Sequence, residues 1–95
     1  MASVTQPTGY MIAFDSSHDA MKSEVLLSDL EGRLVPTPTA IHASCGLAYR
    51  GTVAAEMEEA VRRCREGNLR QFAVYRFKGR GPNLALDFVS EYAAV

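Results

Sequence analysis

The sequence has only two cysteines, Cys45 and Cys64, and almost no excess of either charge. At most one disulfide could form, whereas small secreted domains usually depend on several. We therefore expect a protein of the reducing cytoplasm. The 10 Lys and Arg residues against 11 Asp and Glu residues give a net charge of -1. So small a charge supplies no general attraction to nucleic acid or to an anionic membrane, and we expect neither as a partner.

Long apolar runs and targeting signals are also missing. The opening residues, MASVTQPTGYMIAF, have no basic region and only a short, interrupted apolar stretch. This pattern argues against a secretory signal and against a membrane span. No internal repeat or low-complexity tract is present. The 95 residues, 47% of them hydrophobic, are expected to form one globular domain.

Periodicity predicts a strand and then a helix in the first third of the chain. Residues 1–8 are polar and are expected to form a flexible lead-in, and residues 9–14 alternate strand-forming side chains. Ser16 is positioned to cap a helix, with Asp19 completing a capping box. An apolar stripe follows at helical spacing, and Gly32 is expected to end the helix. The stripe consists of Ala20, Ser23, Leu27 and Leu30.

The middle of the chain predicts a second helix between further strands. Thr52 is expected to cap this helix, glutamates lie near its start, and arginines lie near its end, before Gly67 as the C-cap. Its predicted stripe is Ala54, Met57, Val61 and Cys64. The other predicted segments are an extended run at 33–36, a loop at 36–46 and strands at 47–50 and 71–78. The resulting order, βαββαβ, indicates an α+β fold of the ferredoxin-like plan, a four-stranded antiparallel sheet with two helices on one face.

Both faces of the predicted fourth strand are apolar. Phe72 and Val74 lie on one face, and Ala73, Tyr75 and Phe77 lie on the other. A sheet face of this kind needs a cover, because soluble proteins seldom expose large apolar patches. Two alternatives could cover this face: a second copy of the chain, which would make a homodimer, or the C-terminal extension. We assign the domain to residues 9–82 and the extension to residues 83–95, whose pattern fits either helix or strand.

The loop before the third strand carries the residue types best suited to chemistry. Its pieces PTP at 36–38 and SCGLA at 44–48 follow FDSSHDA at 14–20. In this order they resemble a small family of unknown function described as putative selenium/sulfur (Se/S) carrier protein-like, over about residues 10–78. This chain departs from the family pattern in having Ala43 where members often have Ser, and in its C-terminal extension.

The resemblance implies a carrier that holds sulfur or selenium on a cysteine. It further implies a cysteine desulfurase or selenocysteine lyase as donor and an acceptor protein in selenium or sulfur metabolism. Cys45 is the candidate thiol, which would be held as a persulfide or selenopersulfide. Gly46 leaves access to the sulfur because it has no side chain, and His42 is a candidate support for the thiolate if the segment is helical. We expect an accessory carrier rather than an independent enzyme, with no cofactor.

Other interpretations of these residues remain open. Free cysteine is among the most buried residue types, so Cys45 could be a packing residue of a protein-interaction or small-ligand-sensing module. Cys64 lies on the predicted core stripe of the second helix and is expected to be buried. His18 is expected at the surface. The cysteines and histidines lack the spacing of a zinc site, so we expect no metal.

Overall fold

The computed structural model describes residues 7–94. Its elements in chain order are β1 (Thr8–Phe14), α1 (Ser17–Leu26), β2 (Arg33–Pro36), β3 (Leu47–Gly51), α2 (Met57–Glu66), β4 (Gln71–Lys78) and β5 (Ala85–Ala93). Residues 1–6 of the predicted lead-in lie outside the described residues, and Thr8 already belongs to β1. In the described part of the chain, no helix is long and apolar enough to cross a membrane.

The strands form one antiparallel sheet in the order β2-β3-β1-β4-β5. The α+β class is confirmed, but the sheet has five strands where four were predicted. The fifth comes from the C-terminal extension, whose residues pair with β4 from Lys78 opposite Ala85 to Gln71 opposite Ala93. The extension therefore widens the sheet at its β4 edge.

Helix α1 begins as predicted and ends early. The Ser16 hydroxyl accepts the Asp19 N–H at 3.1 Å, which confirms the cap. The Asp19 carboxylate does not close the capping box but accepts the Arg70 N–H at 3.0 Å, which ties α1 to the start of β4. The helix ends at Leu26 rather than Gly32. A Cβ at Gly32 would run into the Tyr49 ring, so this glycine permits a close approach to β3.

Helix α2 differs from its prediction at the start. A 3-10 turn at Ala54–Glu56 precedes it, and the predicted cap, Thr52, donates its hydroxyl to the Glu31 carboxylate at 2.6 Å. Gly67 follows the helix as predicted, with its N–H bonded to the Arg63 carbonyl at 2.8 Å. Its φ of -81° is ordinary, so the termination does not depend on a left-handed glycine.

The larger core cluster lies between the two helices and the sheet. Its members from the helices are Ala20, Met57, Ala60 and Cys64, with Leu27 directly after α1, and its strand members include Tyr10, Ile12, Phe14, Tyr49, Phe72 and Val74. The predicted stripes are thus largely confirmed, although Ala54 is exposed and Leu30 and Val61 are only half-buried. Burial of these side chains is the main term that fixes both helices to one face of the sheet.

A smaller cluster covers part of the opposite face, which we call the outer face. Met11, Ala13 and Phe77 are buried there against Ile41, with Leu84 and Leu86 packed beside them. Ile41 belongs to the loop between β2 and β3, a cover that the sequence reasoning had not considered. The loop and the extension together bury much of the apolar surface that had suggested a homodimer, and the dimer stays a prediction.

Candidate functional site

Cys45 lies at the end of the sheet where helix α1 begins. Ala13 of β1 is opposite Ala48 of β3, and the two strands are antiparallel. Cys45, three residues before Ala48, is therefore at the end where β1 stops and α1 starts at Ser17. The arrangement follows from the chain order alone, because β3 must run back along β1 from that end.

The Cys45 thiol is covered in this conformation. Its residue is 5% exposed and packs within the larger core cluster, on the helix side of the sheet. The sulfur accepts the Leu47 N–H at 3.4 Å. Cys45 is therefore a buried residue whose sulfur has one backbone hydrogen bond.

Few hydrogen bonds hold the loop that carries Cys45, which we define as residues 37–46. The Thr37 N–H donates to the Gly46 carbonyl at 2.9 Å, and the Thr37 hydroxyl donates to the Cys45 carbonyl at 3.1 Å. Gly46 itself is exposed, and a Cβ added there would meet no atom within 4 Å. Two hydrogen bonds from Thr37 thus close the loop, and the exposed Gly46 leaves solvent on one side of Cys45.

The outer face has a cavity of about 240 Å³ under the same loop. Ala13 and Ala73, which are directly opposite each other in the sheet, contribute its small side chains, and Ile41 lies above them. Its polar lining is Asp15, His42, Ser44, Gln71, Tyr75 and Glu91. No sequence pattern had predicted this cavity. The pair of alanines on an otherwise bulky face was the signal that could have located it.

The structure places His42 and Cys45 in different surroundings. The 37–46 loop contains no helix, so the one-turn spacing that suggested a contact does not apply. His42 is exposed and lines the outer-face cavity, whereas Cys45 packs on the helix side and is not part of that lining. Support of the thiolate by His42 stays a prediction.

Cys64 has the properties of a core residue. It is fully buried on α2, and burial, followed by the charge of the Asp19 carboxylate, raises the pKa of its thiol to about 12. The core prediction for Cys64 is confirmed. His18 is exposed on α1, also as predicted. Among the described residues, no group of three or more His, Cys, Asp or Glu side chains could hold a metal ion.

Comparison with known proteins gives one match. The profile of a family described as "Putative Se/S carrier protein-like" matches residues 9–76, from β1 to the sixth residue of β4. No curated protein and no solved structure matches the chain. The matched span includes the whole 37–46 loop with Cys45. Since it covers more than half of the sequence, the chain belongs to the Se/S carrier protein-like family.

Proposed function

We propose that the protein is a cytoplasmic carrier of sulfur or selenium that uses Cys45 as its only transfer thiol. The observation that carries this proposal is the contrast between the two cysteines. The Cys64 side chain is buried beneath α2, and this burial raises the pKa of its thiol to about 12, so the thiol is protonated at neutral pH. Cys45 lies on a short loop with an exposed glycine beside it and a backbone N–H on its sulfur. Only Cys45 can become accessible without unfolding a helix.

The transfer is an exchange at sulfur that requires no cofactor. The Cys45 thiolate attacks the terminal sulfur of a donor persulfide, R–S–SH. A new S–S bond forms at Cys45, the donor S–S bond breaks, and the donor leaves as the thiolate R–S⁻. An acceptor nucleophile then attacks the outer sulfur and releases the Cys45 thiolate. The sulfur atom moves in the zero oxidation state throughout, so no external oxidant or reductant is needed, and selenium follows the same sequence.

The loop has to open for this exchange. Opening breaks the two Thr37 bonds, draws Cys45 out of the larger core cluster and withdraws Ile41 from the outer face, while the strands keep their pairing and the helices keep their other contacts. Local openings of this size occur far below the free energy of global unfolding.

The donor that we infer is a cysteine desulfurase or a selenocysteine lyase, and the receiver is an acceptor protein in sulfur or selenium metabolism. Family membership supports both assignments. We also infer that the first four strands and two helices follow the ferredoxin-like plan. The strand order β2-β3-β1-β4 with both helices on one face supports this assignment.

Transfer is tested by incubating the protein with a cysteine desulfurase and cysteine and then mapping adducts by mass spectrometry. We expect a gain of one sulfur on Cys45, with none on Cys64. The Cys45→Ser variant should gain no sulfur, and the Cys64→Ala variant should load as the unmodified protein does. The proposal fails if Cys45 gains no sulfur from a desulfurase that loads an established carrier in parallel.

A non-catalytic interaction or ligand-sensing module is the second candidate. Two observations favour it: Cys45 is only 5% exposed, and the outer face has a cavity of about 240 Å³ lined by several polar side chains. Native-state alkylation by iodoacetamide separates the two functions. A carrier should label at Cys45 much faster than at Cys64. Equal, slow labelling at both cysteines would favour the module.

A further inference from the structure

The two edges of the sheet are protected to very different degrees. Edge strand β2 has four residues, begins with Arg33 and ends with Pro36. Edge strand β5 has nine residues with no proline and no Lys or Arg. Phe88 and Val89 in its middle are 59% and 39% exposed. Natural proteins blunt free edges with short strands, prolines, charged side chains and bulges. β5 carries the carboxylates Asp87 and Glu91 and a bulge at Val89, but its length and its exposed Phe88 still suit an edge that another strand covers.

A groove runs along β5 on the helix side of the sheet. Residues of α2 line this groove on one side and residues of β5 line it on the other. Two cavities of about 250 and 360 Å³ share Arg62 and Arg65 as lining and have Val89, Ser90 and Tyr92 of β5 on the opposite side. The Arg65 guanidinium lies 5.4 Å from the centre of the Tyr92 ring. Glu58 and Glu66 also line these cavities, and Glu66 pairs with Arg62. Within residues 7–94 Arg65 forms no ion pair, so the groove contains one arginine that can pair with an incoming carboxylate.

We propose that β5 is the interface with a second copy of this chain, joined edge to edge by antiparallel pairing about a two-fold axis at Phe88. Each subunit then adds five strands to one continuous sheet of ten. The two-fold axis is perpendicular to the sheet, so the helices of both copies lie on the same side. The interface is isologous and closes as a dimer, because the remaining edges are the short β2 strands.

The charge pattern of β5 matches this pairing. Asp87 is opposite Arg76 of β4, which places it on the helix side of the sheet with Val74. The ladder is shifted at Val74/Tyr75, so that Val89 is an extra residue in β5. Pairing at Phe88 brings Asp87 of the second copy opposite Val89 and Ser90. These two residues line the groove, so this carboxylate enters it beside Arg65.

The register also avoids a conflict that one neighbouring register creates. An axis at Asp87 would oppose two aspartates, whereas an axis at Phe88 opposes two phenylalanines. On the outer face Phe88 packs edge-on against Tyr75 at 5.7 Å between ring centres. The dimer therefore extends an existing aromatic contact across the axis and covers the most exposed aromatic side chain of β5.

A charge swap tests this interface with the full-length chain. Sedimentation should give a dimer for the unmodified protein. Asp87→Lys and Arg65→Glu should each weaken the dimer by at least about tenfold, because each places like charges together twice per dimer. An equimolar mixture of the two variants should recover the dimer, since each lysine then meets a glutamate and the remaining Asp87 meets the remaining Arg65. Arg33→Glu, on the β2 edge, is the matched control and should leave the dimer unchanged.

Three results would overturn the proposal: an unmodified chain that sediments as a monomer at its solubility limit, variants that remain dimeric, or a mixture that recovers no dimer. Circular dichroism of each variant reports whether it is folded. Asp87→Asn removes the charge without reversing it and should weaken the dimer less than Asp87→Lys. The edge pairing would also be refuted if substitutions of Tyr75 on the outer face abolished the dimer while the charge variants kept it. That result would assign the contact to face-to-face packing of the two sheets.

Discussion

Removing the Thr37 hydroxyl should expose Cys45 without unfolding the protein. In Thr37→Val the side chain keeps its shape, and the backbone bond from residue 37 to the Gly46 carbonyl is retained. Only the 3.1 Å bond from the hydroxyl to the Cys45 carbonyl is lost. Such a bond contributes about 1 kcal/mol, which corresponds to roughly a fivefold change in an equilibrium constant. The fraction of molecules with an open loop should rise by that factor.

The assay is alkylation of the folded protein by iodoacetamide, with the rate at each cysteine read by mass spectrometry. When the loop opens and closes faster than the reagent reacts, the rate follows the open fraction, so Cys45 should react about five times faster. Thr37→Ser keeps the donor and should behave as the unmodified protein. Thr39→Val, at an exposed position of the same loop, is the matched control. The reasoning is refuted if Cys45 labelling does not change, or if Cys64 labelling rises equally, which would mean global destabilisation.

Two further predictions concern stability. Burial, assisted by Asp19, raises the pKa of Cys64 to about 12 from 9.0, so between these pH values the unfolded chain releases a proton that the folded chain keeps. The free energy of unfolding should therefore fall as the pH rises above 9, which urea denaturation below and above that pH can measure. In the Cys64→Ala variant the free energy of unfolding should fall less over the same pH range than in the unmodified protein. Gly46→Ala should change the unfolding free energy by less than about 0.5 kcal/mol, whereas the matched Gly51→Ala drives a Cβ into the Tyr10 ring and should cost about 1–3 kcal/mol. Equal urea midpoints for the two glycine variants would contradict this contrast.

Elements with a strong local signal were predicted well from the sequence. Alternation identified β1 and β4, and the Ser16 cap located the start of α1 to the residue. These features depend on residues close together in the chain. The end of α1 was not predicted because Gly32, the apparent stop signal, is needed for close packing against the Tyr49 ring of β3 and does not end the helix. Thr52 was misread for the same reason, since its partner Glu31 is 21 residues away.

The sequence predicted which residues form the candidate site better than it predicted where their side chains lie. Family resemblance pointed to Cys45, and the PTP and SCGLA pieces marked the loop. The sequence could not reveal that Ile41 turns towards the outer face while Cys45 turns towards the helices, because an irregular loop has no period to assign sides. The C-terminal extension was undecided for a related reason. Its apolar residues fit spacings of two and of four, and only pairing with β4 selects the strand.

Burial alone does not distinguish the two cysteines, because both side chains are almost fully covered. What differs is the structure that has to move before a reagent can reach each sulfur. Exposing Cys64 means lifting α2 from the core that it shares with Ala20 and Leu69. Exposing Cys45 means breaking two hydrogen bonds from Thr37 and the Leu47 bond to the sulfur, and withdrawing one side chain from the core on a loop whose glycine already borders solvent. A persulfide on such a loop is shielded from stray thiols while closed and reaches a partner when open. A covered Cys45 is therefore compatible with a carrier when the loop opens with a free energy well below that of global unfolding.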